Sequence, residues 1–112
     1  MAGARVPDTG DVIWVDFDPT RSRAPRGQRP ALVLSPAAYN RRADLLVCVP
    51  LTTAVKGYPF EVEIAGPRGG MALADQLKSI DWRTRRVKIA ARASVDEVSE
   101  VRAKVRALLQ LD

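Results

Sequence analysis

Proline and glycine interrupt this chain so often that its apolar runs last only a handful of residues each. Short apolar runs bounded by turn residues read as strands rather than helices. Val12 to Phe17 is the first, ended by Asp18-Pro19, and Ala31 to Ser35 is the second, stopped by Pro36. Leu45 to Val49 is too short for a helix and is expected to halt at Pro50. Phe60 to Ile64 alternates as F-E-V-E-I, a strand with one wet face. Met71 to Leu73, Lys78 to Trp82 and the alternating stretch from Arg86 to Ala91 complete the set. Residues 19–30 read as a basic loop, 37–42 as one helical turn, 51–59 as a second loop and GPRGG at 66–70 as a tight connection.

The period changes at Ser94. With Glu97 three residues on, it forms a capping-box signature, in which hydroxyl and carboxylate satisfy orphan amides. Val98, Val101, Val105, Leu108 and Leu109 then share one face at helical spacing, away from Glu100, Arg102 and Lys104. About six or seven short strands and one closing helix predict a mainly β protein: a small, strongly bent antiparallel barrel with a C-terminal amphipathic helix. Such a barrel has little room inside, so function belongs to loops at one rim or to a subunit interface. At 112 residues the chain is read as one domain, 1–112, with enough length for one real core.

Charge narrows the partners. Eighteen basic residues against thirteen acidic give a net +5, which suits a polyanion or an acidic protein. The cations are clustered: Arg21, Arg23, Arg26 and Arg29 lie between Thr20 and Arg29 with no acid, and Arg83, Arg85, Arg86, Lys88 and Arg92 form a second such segment. The two could meet on one face. The chain has no histidine and one cysteine, so a histidine-containing metal site and a zinc site of several thiolates are excluded. The single cysteine suits a reducing cytoplasm, no run is long enough to span a membrane, and the N-terminus lacks the pattern of a signal peptide.

Three stretches carry possible chemistry. Arg29 precedes Pro30, which disfavours the helical region and stiffens the backbone where the guanidinium projects. That suits a bidentate phosphate clamp, although by spacing alone a solvated strand-end arginine is the commoner case. Thr52 and Thr53 follow the third strand; their hydroxyls either donate to a bound anion or cap a turn, with Lys56 adding a cation at the same rim. In ALADQLKSIDW, the Gln76 amide either reads a base edge or ties a loop. Trp14 and Trp82 are able to stack on bases, although tryptophans in so small a domain are usually core, and Cys48 reads as an inert hydrophobe.

Taken together, GDVIWVDFDPT, GQRPALVLSPAAYN, VCVPLTTAVKGYPFEV and ALADQLKSIDWR, in this order and spacing, resemble the MazF/PemK toxins of bacterial toxin–antitoxin systems. The resemblance runs from about Val6 to Leu109. It implies an SH3-like barrel, a homodimer, and an endoribonuclease that cuts single-stranded RNA, usually mRNA, at short sequences. It implies cleavage without metal or other cofactor, leaving a 2′,3′-cyclic phosphate and a 5′-hydroxyl. A cognate antitoxin with an acidic, flexible tail is implied as partner. By matched position the catalytic residues are Arg29 in GQRP and Thr52 in PLTT. The resemblance makes the arginine-rich loop an RNA-gripping lid in which Arg21, Arg23 and Arg26 hold the backbone, with Thr20, Gln28, Lys56, Gln76 and Lys78 as further RNA-binding residues.

Some relatives carry a glutamate in the first loop and a histidine just before the Arg-Pro pair, where this chain has Ala24 and Gln28. Arginine stays protonated far above neutral pH, so Arg29 is assigned to charge stabilisation. Asp16, Asp18, Glu61 and Asp75 are candidates by type for removing the 2′-hydroxyl proton. Two other readings belong to different classes. One is a toxin of the same fold that binds DNA gyrase; the other is a non-catalytic RNA-binding barrel.

Overall fold

The computed structural model describes residues 5–16, 28–66 and 70–112. Seven strands and two helices follow in chain order: β1 (Asp11–Asp16), β2 (Gln28–Val33), α1 (Ala37–Ala43), β3 (Leu45–Thr52), β4 (Glu61–Ile64), β5 (Gly70–Leu73), β6 (Lys78–Asp81), β7 (Lys88–Arg92) and α2 (Val95–Leu109). The strands form one curled antiparallel sheet in the order β4-β5-β3-β2-β1-β7, and β6 also pairs with β3. A register shift between Val12 and Ile13 in the β1–β7 pair adds local twist. This is the expected mainly β architecture, a bent half-barrel with a C-terminal helix.

Both faces of the sheet are covered. Ile13, Val15, Ala31, Val33, Leu46, Cys48 and Ile80 gather on one face around Trp82. Val12, Leu32, Val49, Leu51, Val62, Ile64 and Ala72 gather on the other, against Val98 and Val101 of α2. Burial on both sides explains why β1, β2 and β3 read as continuous apolar runs instead of alternating ones. β4 alternates, with Val62 and Ile64 buried and Glu63 exposed, and β7 alternates between exposed and half-buried residues.

Two expected boundaries are wrong, both at prolines. β2 begins at Gln28, so Arg29 and Pro30 belong to the strand and not to the basic loop. β3 does not halt at Pro50 but runs on to Thr52. The reason lies in where each missing N–H would have pointed. β3 pairs with β6 through Leu45–Cys48 and with β5 through Leu51 and Thr52, so Pro50 sits in the gap between two ladders. In β2, the Val33 carbonyl accepts from Gly10 on the β1 side, whereas the Leu34 N–H donates to Val47 of β3. Alternation then aims Pro30 at β3, and the β2–β3 ladder ends one residue away, at Ala31 opposite Pro50. The remaining strand limits shift by one or two residues; Phe17 and residues 67–69 lie outside the described residues.

Beneath α1 a buried polar hub joins three segments. Asn40, fully buried, donates from Nδ2 to the Pro7 carbonyl at 2.8 Å and to the Ser35 carbonyl at 3.1 Å. Its Oδ1 accepts from the Ser35 hydroxyl at 2.6 Å, and its backbone carbonyl accepts from Trp82 Nε1 at 2.9 Å. A second buried polar group, Asp11, accepts from Arg92 Nη1 at 2.7 Å and from the Asp8 amide at 2.8 Å. Among the described residues no buried side-chain polar atom is left without a partner.

The capping box forms as expected: Ser94 Oγ accepts from the Glu97 amide, and Glu97 Oε1 accepts from the Ser94 amide. Glu97 Oε2 also accepts from Ala65 at 2.8 Å, tying α2 to the end of β4. The bonds from Ala65 and Ser94 hold the Glu97 carboxyl below the usual glutamate range. The apolar stripe docks over only part of its length. Val98 and Val101 are buried and Val105 packs against the same cluster, while Leu108 and Leu109 remain 39% and 51% exposed. Among the described residues no helix is long and apolar enough to cross a membrane.

The hub predicts a specific weakness. Asn40→Ala strands two buried carbonyls and a hydroxyl, and is expected to cost about 2–4 kcal/mol in urea unfolding. A loss within about 0.5 kcal/mol would mean that water replaces the amide without penalty.

Candidate active site

The end of the β2–β3 ladder is where the chemistry-bearing residues converge. Continuing the observed register by two steps past Ala31↔Pro50 sets Arg29 across from Thr52. Cross-strand partners share a face, and Arg29 pairs on its other side with the buried Val15. Arg29 therefore projects from the Ile13/Val15/Ala31/Val33 face, but at its exposed rim. Its placement in a strand, stiffened by Pro30, gives the guanidinium a rigid base.

Thr52 is half-buried, and its Oγ1 accepts from the Ala54 amide at 3.1 Å. The turn-capping role and the anion-donor role are thus compatible. One lone pair faces the amide, and the hydroxyl hydrogen stays available to an outside acceptor. On the opposite side Thr52 pairs with Met71 of β5. The adjacent Gly70 leaves room for that close packing: a Cβ there would stand 3.0 Å from the Thr52 carbonyl oxygen.

The other expected contacts are distributed around this rim. Lys78 stands opposite Cys48, which is opposite Val33, so it shares the face of Arg29 and Thr52 but lies two cross-strand rows away. Burial pushes the Cys48 thiol up to about 12, and nearby Lys78 only partly offsets it; the thiol is inert as expected. Gln76 is exposed in the 74–77 connection, its backbone N–H donating to the Leu73 carbonyl, and that connection joins the β5 and β6 ladders that flank Pro50 on β3. Lys56 is exposed in the loop after Thr52. Gln28 is out of phase with Arg29 and pairs with Asp16, which directs both toward the opposite face. Thr20, Arg21, Arg23, Ala24 and Arg26 lie outside the described residues, as does Asp18.

The second basic segment is largely engaged by the protein itself. Arg83 stacks on Trp82 with its guanidinium 4.4 Å from the ring centroid and pairs with Asp44, and Arg92 pairs with Asp11. Arg85 donates to the Asp16 carbonyl, and its own carbonyl accepts from the Asp16 amide. These bonds bring the turn bearing Arg85 and Arg86 to the end of β1, where the first basic segment departs. Trp82 is core, as tryptophan in so small a protein usually is, while Trp14 is half-buried between Pro30 and Lys88.

Geometry also sorts the carboxylates. Asp16 projects to the face opposite Arg29, and Asp75 is exposed in the turn after β5. Glu61 is committed elsewhere: its two oxygens accept from the Lys56 and Gly57 amides at 3.1 and 3.0 Å. That role was invisible in the residue types alone. So was Tyr58, which is 60% exposed between Gly57 and Pro59; an aromatic flanked by two turn residues was the available signal. Among the described residues no three His, Cys, Asp or Glu side chains come together as a metal-binding group.

A bent half-barrel presenting an arginine and a threonine hydroxyl at an open strand end defines a small β protein suited to gripping an extended anion. Residues 8–109 match the family described as PemK-like, MazF-like toxin of type II toxin-antitoxin system, and the chain belongs to that family. It is similar to the endoribonuclease toxin MazF of Escherichia coli K12, at 49% identity over 110 residues, covering 97% of this chain and 99% of the relative. Similarity to the endoribonuclease PemK of Escherichia coli is 31% over 108 residues, covering 91% and 81%. Among solved structures, MazE–MazF (Form-II) from Deinococcus radiodurans superposes with a TM-score of 0.86 at 43% identity, covering 97% of this chain and all of that one.

Proposed function

We propose that this protein is a sequence-specific endoribonuclease toxin that cuts single-stranded RNA, with Arg29 and Thr52 as its catalytic residues. The observation that carries the assignment is the β2–β3 register, which, continued two residues past Ala31 and Pro50, brings them opposite each other on one face. The substrate's own 2′-hydroxyl loses its proton to solvent as it attacks the adjacent phosphorus, and the 5′-oxygen takes up a proton as its bond to phosphorus breaks. A phosphodiester with one negative charge becomes a dianionic phosphorane and collapses to a 2′,3′-cyclic phosphate and a 5′-hydroxyl. Arg29 faces the developing charge with paired N–H donors, and the Thr52 hydroxyl supplies another. Fixed donors of this kind contribute roughly 10²–10³ each to rate. The two groups supply charge stabilisation without a metal, and DNA, lacking the nucleophile, is not a substrate.

Lys56, Gln76 and Lys78 extend the contact around the rim, with Thr20, Arg21, Arg23 and Arg26 contributing from the segment before β2 and Gln28 from the first position of that strand. Contacts to phosphate fix the register of the RNA, and contacts to base edges choose the sequence. The net charge of +5 suits a cognate antitoxin with an acidic, flexible tail, and the Deinococcus radiodurans relative is itself seen with MazE. The protein acts in the cytoplasm, as a homodimer.

End-mapping of a long unstructured RNA incubated with the protein in EDTA tests the reading. Discrete cuts with 5′-hydroxyl ends are expected, absent with a folded Arg29→Ala protein. Intact RNA, with the protein folded, would instead favour a gyrase-directed or binding-only barrel. Thr52→Val is expected to lower the cleavage rate about 10²-fold with a change of a few degrees at most in Tm. A lowered Tm with unchanged cleavage would leave the hydroxyl only its turn-capping role.

A further inference from the structure

One strand face beside the candidate site carries a charge that the fold does not use. β4 lies at the end of the sheet, paired with β5, and turns Val62 and Ile64 into the core. Glu61 and Glu63 therefore point the other way, two residues apart, where their carboxylates repel. Glu61 offsets this by accepting from the Lys56 and Gly57 amides. Glu63 is exposed, and among the described residues its carboxylate has no hydrogen-bond or ion-pair partner.

The register places Glu63 in line with the site. It pairs with Met71, and Met71 pairs on its other side with Thr52. Cross-strand partners share a face, so the row runs on through Thr52 to Arg29 when the β2–β3 register is continued. Across the strands it presents a guanidinium, a hydroxyl, a half-buried thioether and a carboxylate. One nucleotide of single-stranded RNA has the same order of polarity: an anionic phosphate, a ribose with hydroxyls, a flat base face, and a base edge bearing donors. Glu63 is two strand spacings from Thr52, about 10 Å, which is on the order of the reach from a phosphate to the edge of the base beside it. Between them the Met71 thioether is a polarizable surface against which a ring can lie.

A carboxylate in this position repels a polyanion unless it makes a bond of its own. It accepts and cannot donate, so it sorts bases by their donors. Guanine offers N1–H and the N2 amino group side by side, one for each carboxylate oxygen. Cytosine and adenine offer one amino group, and the single donor of uracil lies between two carbonyl oxygens that the carboxylate repels. We infer that Glu63 is a specificity-determining residue: it reads the Watson–Crick edge of one unpaired base next to the scissile phosphate and selects guanine over uracil. The inference rests on the RNA-cleaving reading above and adds to it the base that one position of the target holds.

Two pools of randomised RNA test it. One is all-ribose, and its cut fragments are sequenced. The other carries 2′-fluoro groups throughout, lacks the nucleophile, and is sequenced after selection on the immobilised protein. Wild type is expected to favour guanine over uracil about tenfold at one position flanking the cut. Glu63→Ala should lose that preference while those at other positions persist, and Glu63→Gln, whose amide also donates, should admit uracil. Inosine in place of the guanine, lacking the N2 amino group, should slow wild type and make no difference to Glu63→Ala. Identical profiles for wild type and Glu63→Ala would overturn the proposal and leave the carboxylate only the role of keeping an edge strand from pairing. So would an affinity gain uniform over all sequences, the mark of plain repulsion from phosphate. A wild-type protein that selects from the 2′-fluoro pool yet cuts nothing counts against the nuclease reading, and the selected sequences still decide the base preference.

Discussion

Each of two prolines in the paired strands lacks an N–H, and where that missing donor points decides where the sheet opens. Pro50 points into the gap between the β6 and β5 ladders, so β3 continues through it to Thr52. Pro30 points at β3, so the β2–β3 ladder ends beside it while β2 stays paired with β1 back to Gln28. The result is an arginine held on one side by a rigid strand and released on the other, across from a threonine. Backbone accounting of this kind needs no side-chain contact, yet it sets the place where a polyanion can approach the sheet.

The electrostatics follow from that opening. Three cations of the second basic segment are engaged by the fold: Arg92 neutralises the buried Asp11, Arg83 pairs with Asp44 while lying on Trp82, and Arg85 closes the end of β1. Arg29 at the rim is exposed and directed outward. Of the carboxylates weighed as bases, Asp16 is turned to the other face and Glu61 is bound to loop amides, whereas Glu63, opposite Met71, stays exposed on the face of Thr52. Glu61 illustrates the division: its charge is spent on two backbone amides, and the loop it orders presents Lys56 and Tyr58.

Much of this was legible in the sequence. The capping box of Ser94 and Glu97, the alternation of Phe60 to Ile64, and the placement of Trp82 and Cys48 in the core are local patterns whose physics is complete within a few residues. The family resemblance points to Arg29 and Thr52, and the β2–β3 register is compatible with their facing each other. What escaped depends on pairing. Prolines end strands as a rule, and only the identity of the neighbouring ladder reveals that Pro30 and Pro50 do not. The stripe of α2 looked uniformly buried because helical spacing does not tell how far the core covers the helix, and Leu108 and Leu109 stay exposed. Glu61 read as a candidate base because its residue type is visible and its hydrogen-bond partners are not.

The central claim is that Arg29 and Thr52 act on the same phosphate because the open ladder sets them face to face. A double-mutant cycle on single-turnover cleavage of one defined oligoribonucleotide tests it, using Arg29→Lys, which keeps a charge and a measurable rate, and Thr52→Val. Donors sharing one developing charge are coupled, so the double variant should be only about threefold slower than the slower single. Losses that simply multiply would place the two residues on independent parts of the substrate and contradict the account.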